Sequence, residues 1–131
     1  MDDVPTDYEA PTGAAFDLVD EGVTVSDRAQ HVVLFKFSNE LSSEDEAEMF
    51  QRVRAWPETI EGFTGLRFGK DVSGRSGGYD YLLLTEFVDE AAHQAYYSQP
   101  AHVAFSEWMF AHDCEVLRVD YPLTDQTLIV G

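Results

Sequence analysis

The chain has 131 residues, enough for one domain with a core and too few for two comfortable ones. A hydrophobic fraction of 44%, with 13% aromatic residues, excludes a disordered chain. Twenty-five acidic residues against eight basic ones give a formal charge of -17, which argues against nucleic acid and anionic membranes as partners.

Two readings of that charge stay open. One is a soluble protein with a solvated acidic face. The other is adaptation to a high-salt cytoplasm, since the basic residues include only Lys36 and Lys70 as lysines. No apolar run approaches the roughly 18 residues of a membrane span. Met1-Asp2-Asp3 shows no basic region leading into an apolar stretch, so no secretory leader is expected. The single cysteine, Cys114, precludes an internal disulfide. A cytoplasmic setting fits these features.

Residues 1–28 hold eight acidic residues and one arginine, with Pro5, Pro11 and Gly13 as breakers. They form an acidic extension, either disordered or packed as an edge strand through Phe16, Leu18, Val19, Val23 and Val25. His31 to Phe37 is β-branched and aromatic and predicts a strand, with His31, Val33, Phe35 and Phe37 on one face. Ser43 and Glu46 offer a capping box for a helix through Met49, Phe50, Val53 and Trp56, which Pro57 is expected to end. Phe63 to Val72 predicts the second strand. Ser73 to Gly78 is a flexible connection: it lacks a Gly-Lys-Ser/Thr ending and leads into a strand rather than a helix, unlike a phosphate loop.

Tyr79 to Val88 predicts the third strand, with Tyr79, Tyr81, Leu83, Thr85 and Phe87 on one side. Asp89 caps a helix towards Ser98, and Pro100 separates it from a second segment carrying Phe105, Trp108, Met109 and His112. Cys114 to Tyr121 closes the pattern as the last strand, with residues 123–131 as a tail. The order β-α-β-β-α-β is the split unit of a ferredoxin-like α+β fold. Two helices cover one face of such a sheet, yet several strands are apolar on both faces. A second copy of the chain would cover the open face, giving a dimeric α/β barrel.

Several fragments then become recognisable in order: His31-Val-Val-Leu-Phe-Lys-Phe37, Phe68-Gly-Lys-Asp-Val-Ser73, Gly78-Tyr79-Asp80, Tyr96 followed by Pro100-Ala-His102-Val103, and Val119-Asp120-Tyr121. Together they resemble the stress-responsive A/B barrel family over about residues 29–122. The resemblance implies a homodimeric barrel with a pocket between sheet and helices. Its members range from stress proteins to a plant polyketide cyclase that closes a ring by aldol condensation with a histidine base and a neighbouring tyrosine. Those positions match His102 and Tyr96, and two further pocket histidines match His31 and Tyr81. Gln99 stands where the family often has a histidine.

The residue chemistry fits that role. A neutral imidazole at His102 could take a proton from an activated carbon, and the Tyr96 phenol could hold the developing enolate oxygen. The competing reading makes His102 a helix-start residue packed beside Phe105, with Tyr96 in the core. His31, Tyr81, Phe35 and Phe105 are the expected substrate-binding walls, facing a small aromatic or polyketide-like ligand. His93 and His112 give no reason to prefer chemistry, and acidic neighbours at Asp113 and Glu115 favour an inert Cys114. No cofactor is expected, and no ligand spacing indicates a metal site, although the resemblance allows an adventitious magnesium ion near the barrel. The expected activity is a cofactor-free cyclase, isomerase or lyase on a carbonyl compound. The alternatives are a non-enzymatic stress or binding protein and a cofactor-independent monooxygenase.

Overall fold

The structure, a computed structural model, describes residues 28–123 and Leu128. The expectations for the acidic extension and the C-terminal tail therefore fall almost wholly outside the described residues. The elements run β1 (Ala29–Phe37), α1 (Ser43–Arg54), α2 (Trp56–Thr59), β2 (Phe63–Lys70), β3 (Tyr81–Phe87), α3 (Glu90–Tyr96), α4 (Pro100–Ala111) and β4 (Cys114–Pro122). The four strands form one antiparallel sheet in the order β2-β3-β1-β4. This is the ferredoxin-like α+β fold expected from the element order.

Period-two alternation decides which side chains meet the helices. His31, Val33, Phe35 and Phe37 of β1 and Tyr81, Leu83, Thr85 and Phe87 of β3 are all buried on the helix-covered face. A bulge between Phe63 and Gly65 absorbs Thr64 and lets Phe63, Leu66 and Phe68 all pair opposite core residues of β3. Met49, Val53, Trp56, Tyr96, Phe105, Trp108 and Met109 close the core from the helices.

Three local details differ from the sequence reading. The cap of α1 is Ser42, whose hydroxyl accepts from the Asp45 N–H at 3.0 Å; Glu46 leaves the capping box and binds Tyr81 instead. Pro57 opens the short helix α2 rather than ending a longer one, because a proline ring suits a first-turn position where no N–H bond is needed. The third strand begins at Tyr81, two residues late. Residues 71–80 are instead held by Asp71, whose carboxylate accepts from the Ser73 hydroxyl and the Gly74 N–H, and by Gly74, Gly77 and Gly78 at positive φ.

Gly62, between α2 and β2, sits at φ +101°, and a Cβ there would lie 2.6 Å from Cβ of Ala92 on α3. The turn thus sets how closely α3 approaches the sheet. Gly62→Ala is expected to cost about 1–3 kcal/mol in backbone strain alone, with the overlap adding to it. A urea midpoint within error of the parent protein would contradict this.

Among the described residues no helix lies over the other sheet face. Leu82, Leu117, Val119 and Tyr121 are 38–52% exposed there, beside half-buried Val32, Leu34 and Leu84. Among the described residues no helix is long and apolar enough to cross a membrane.

Candidate active site

α3 and α4 meet at Tyr97 to Gln99, and Pro100 starts α4 with Gln99 as its N-terminal flank. This corner brings Tyr96 at the end of α3 against His102 in the first turn of α4, with ring centroids 4.2 Å apart. Both line a cavity of about 50 Å³ between helices and sheet, together with His31, Phe35, Phe105 and Arg118. Of the expected site residues, His102, Tyr96, His31, Phe35 and Phe105 are therefore brought together.

Tyr81 does not join them. Its ring packs in the core with Phe37, Phe50 and Phe68, and its hydroxyl donates to Glu46 at 2.6 Å. Lys70 approaches the same carboxylate oxygen at 3.0 Å. The Tyr81 hydroxyl and Lys70 hold Glu46 below the ordinary carboxylate value, while burial and that same bond push the Tyr81 phenol up. Tyr81, expected as a wall of that pocket, is placed away from the Tyr96–His102 cavity, in a bond that ties β3 to α1.

His102 has one nitrogen committed. Its Nδ1–H donates to the Tyr97 carbonyl at 3.3 Å, a pairing that requires the Nδ1–H tautomer and leaves Nε2 with a free lone pair. Burial lowers its pKa, more than the carbonyl raises it, so the ring is neutral at neutral pH. Burial raises the Tyr96 phenol well above its ordinary value, so it is a hydrogen-bond donor rather than a phenolate. A neutral base beside a neutral phenol is one arrangement that can support proton abstraction next to a carbonyl.

The sequence reading did not assemble a second cluster beside the first. His31, 1% exposed, pairs through Nδ1 with Asp120 of β4, its cross-strand partner. His93 of α3, 2% exposed, places Nε2 2.8 Å from the Tyr97 hydroxyl and 3.9 Å from Asp120 Oδ1. Glu90 lies 3.4 Å from the other nitrogen of His93. The Tyr97 hydroxyl is also 3.4 Å from His31 Nδ1. Burial lowers the His31 pKa although Asp120 raises it, and burial pushes Tyr97 up to about 12. The pairing of His31 with Asp120 could have been foreseen from strand register; nothing in the spacing of residues 31, 93 and 120 indicates that they meet. Cys114 is buried and its thiol is pushed up to about 11 by that burial, consistent with an inert cysteine.

A four-stranded antiparallel sheet with helices on one face and a histidine–tyrosine cavity beneath them defines a ferredoxin-like α+β domain with a small, largely apolar pocket. Residues 29–123 match the Stress responsive A/B Barrel Domain, and the chain belongs to that family. It is 30% identical over 101 residues to the stress-response A/B barrel domain-containing protein HS1 of Arabidopsis thaliana, covering 76% of this chain and 93% of that protein. Among solved structures it resembles a hydroxynitrile lyase from Passiflora edulis, with a TM-score of 0.67 at 14% identity over 75% of this chain and 94% of the lyase. It also resembles a dimeric ferredoxin-like protein of unknown function from Thermobifida fusca, with a TM-score of 0.65 at 20% identity over 73% of this chain and 91% of that one. At those identities the two structures speak for the fold.

Proposed function

We propose that the chain is a homodimeric small-molecule-binding protein that moves a proton on a compact carbonyl compound, as a cyclase, isomerase or lyase does. The observation that carries this is the Tyr96–His102 pair on a shared cavity, with His102 Nδ1 spent on a backbone carbonyl and Nε2 left basic. In this reading His102 Nε2 takes the α-proton, the Tyr96 hydroxyl donates to the enolate oxygen, and His31, Phe35 and Phe105 form the walls. Arg118 lines the same space and supplies a cation for a polar substituent. A cavity of about 50 Å³ holds a few water-sized groups, far less than the roughly 300–1,000 Å³ of a drug-sized site. The substrate is accordingly small; a polyketide-like chain would need the walls to part. That the fold also serves a lyase acting on hydroxynitriles is in keeping with small-molecule proton chemistry.

One observation favours a non-enzymatic dimer instead: Tyr96 is 1% exposed and packed against Trp56, Phe63 and Phe87. Hydrogen–deuterium exchange at the α-carbon separates the two readings. The full chain in D₂O with compact aldehydes, ketones and 2-oxo acids should catalyse exchange visible by proton NMR. His102→Gln should slow it by about 10²–10⁴-fold at unchanged melting temperature. Exchange at the buffer rate across the panel, or an unaffected His102→Gln, would leave the binding dimer as the function.

A further inference from the structure

The structure's second cluster lies at the edge of the sheet. One ring nitrogen each of His31 and His93 and an Asp120 carboxylate oxygen all lie within 4.8 Å of one another, on β1, α3 and β4 respectively, and Asp120 Oδ1 meets His31 Nδ1 and His93 Nε2. We infer that these three side chains form a binding site for a divalent first-row transition ion, with zinc as its reference occupant.

Four features support the assignment. Two imidazoles and a carboxylate form a donor set that suits zinc and its neighbours rather than magnesium, which prefers oxygen. The spacing is that of ligands drawn together. A tetrahedral ion with bonds of about 2.0–2.1 Å sets its donors about 3.3 Å apart. Here His93 Nε2 stands 3.9 Å from Asp120 Oδ1, while His31 Nδ1 bonds the same oxygen directly, a contact that an entering ion would open to the donor spacing. The Tyr97 hydroxyl, 2.8 Å from His93 Nε2 and 3.4 Å from His31 Nδ1, lies where a fourth oxygen would complete the set.

The third feature is a supporting carboxylate. Glu90 stands 3.4 Å from His93 Nδ1, the nitrogen that does not face the cluster. A proton held there by Glu90 fixes the tautomer that leaves Nε2 free, the usual partnership behind a metal-binding histidine. The fourth is access: both histidines are almost fully buried, yet the Asp120 side chain is 44% exposed and opens the cluster to solvent. Occupation requires His31 to carry its proton on Nε2 instead of Nδ1, a change of tautomer without a change of charge.

This inference shares the wall residue His31 with the proposed pocket but uses neither His102 nor Tyr96, so it stands or falls apart from the proposed proton chemistry. Its consequence is structural: an ion here would tie the edge strand β4 to β1 and to α3, and would stabilise the fold by mass action.

Zinc chloride alone is the probe. After chelator treatment, the full chain in 10 mM magnesium, which occupies surface carboxylates, should bind one zinc ion per chain with a dissociation constant of about 1 μM or tighter. Asp120→Asn should weaken that site by more than about 100-fold, and Glu90→Gln by about 10-fold at unchanged stoichiometry. His102→Gln should leave it intact, which separates this test from that of the catalytic reading. Because Asp120 is partly exposed, its variant keeps the fold, and near-ultraviolet circular dichroism checks that. Histidine side-chain nitrogen NMR should show zinc on Nδ1 of His31 and Nε2 of His93. Absence of a micromolar site, a site unaffected by Asp120→Asn, or coordination through other histidines would each overturn the assignment.

Discussion

Trp56→Ala will remove a large share of the domain's stability margin. The ring has no solvent exposure and touches the core on several sides: Phe105 at 5.1 Å, Tyr96 at 5.6 Å, His102 at 5.9 Å and Phe63 at 6.4 Å between centroids. Deleting a large aromatic side chain from such a site costs about 3–5 kcal/mol, against a total of roughly 5–15 kcal/mol for a domain. One feature reduces the loss. The indole Nε1 is buried without a hydrogen-bond partner among the described residues, and leaving a donor unsatisfied costs about 1–3 kcal/mol. Trp56→Phe keeps much of the buried area and deletes that orphan donor, so it should lie within about 1.5 kcal/mol of the parent. Urea unfolding of both variants checks the pair of values. If Trp56→Phe were as damaging as Trp56→Ala, neither the retained ring area nor the loss of the orphan donor would be stabilising at this site. The variants also probe the pocket, since Trp56 backs the His102 ring: Trp56→Ala frees that ring, and any proton-transfer activity should fall with it.

The strands were legible because burial on one face writes a period of two into β1 and β3, and the alternation from His31 to Phe37 matches the buried and half-buried pattern residue by residue. Helix ends were less legible. Ser42 and Ser43 are adjacent candidate caps, and only the course of the backbone selects Ser42. Pro57 is compatible with ending one helix or opening another, and the turn at Ala55 decides for the second.

The pocket was partly legible. The resemblance pointed to His102, Tyr96 and His31, which do share a cavity, but it could not reveal that Tyr81 is diverted by Glu46. That bond joins residues 35 positions apart and follows from α1 crossing the start of β3. The cluster of His31, His93, Tyr97 and Asp120 was least legible. His93 on α3 and Tyr97 at its C-terminal cap are one helical turn apart, while Asp120 reaches them only because β4 pairs with β1 so that His31 faces Asp120. Long-range register, not local spacing, assembles it.

Leu117→Glu combined with Val119→Glu should convert the protein from a dimer to a monomer. Both residues lie on β4 on the face turned away from the described helices, 45% and 52% exposed in the single chain. They pair across with Leu34 and Val32, which pair in turn with Leu82 and Leu84 of β3, so the apolar strip runs continuously across three strands. Contiguous exposed apolar surface of this kind marks an interface, and a second copy of the same sheet would cover it about a two-fold axis. Within one chain the substitutions replace exposed side chains and cost little, so the monomer should stay folded. In the dimer they would bury four carboxylates without partners, a penalty that association cannot offset. The net charge of -17 per chain adds a second, separable expectation. Two such chains repel each other, and the screening length shortens from about 30 Å at 0.01 M salt to about 8 Å at 0.15 M. The parent dimer should therefore tighten as salt rises, while the double variant stays monomeric at every salt concentration. Light scattering behind size exclusion reads both. A parent protein that is monomeric at high salt and high concentration would mean that this strip is covered by something other than a second copy.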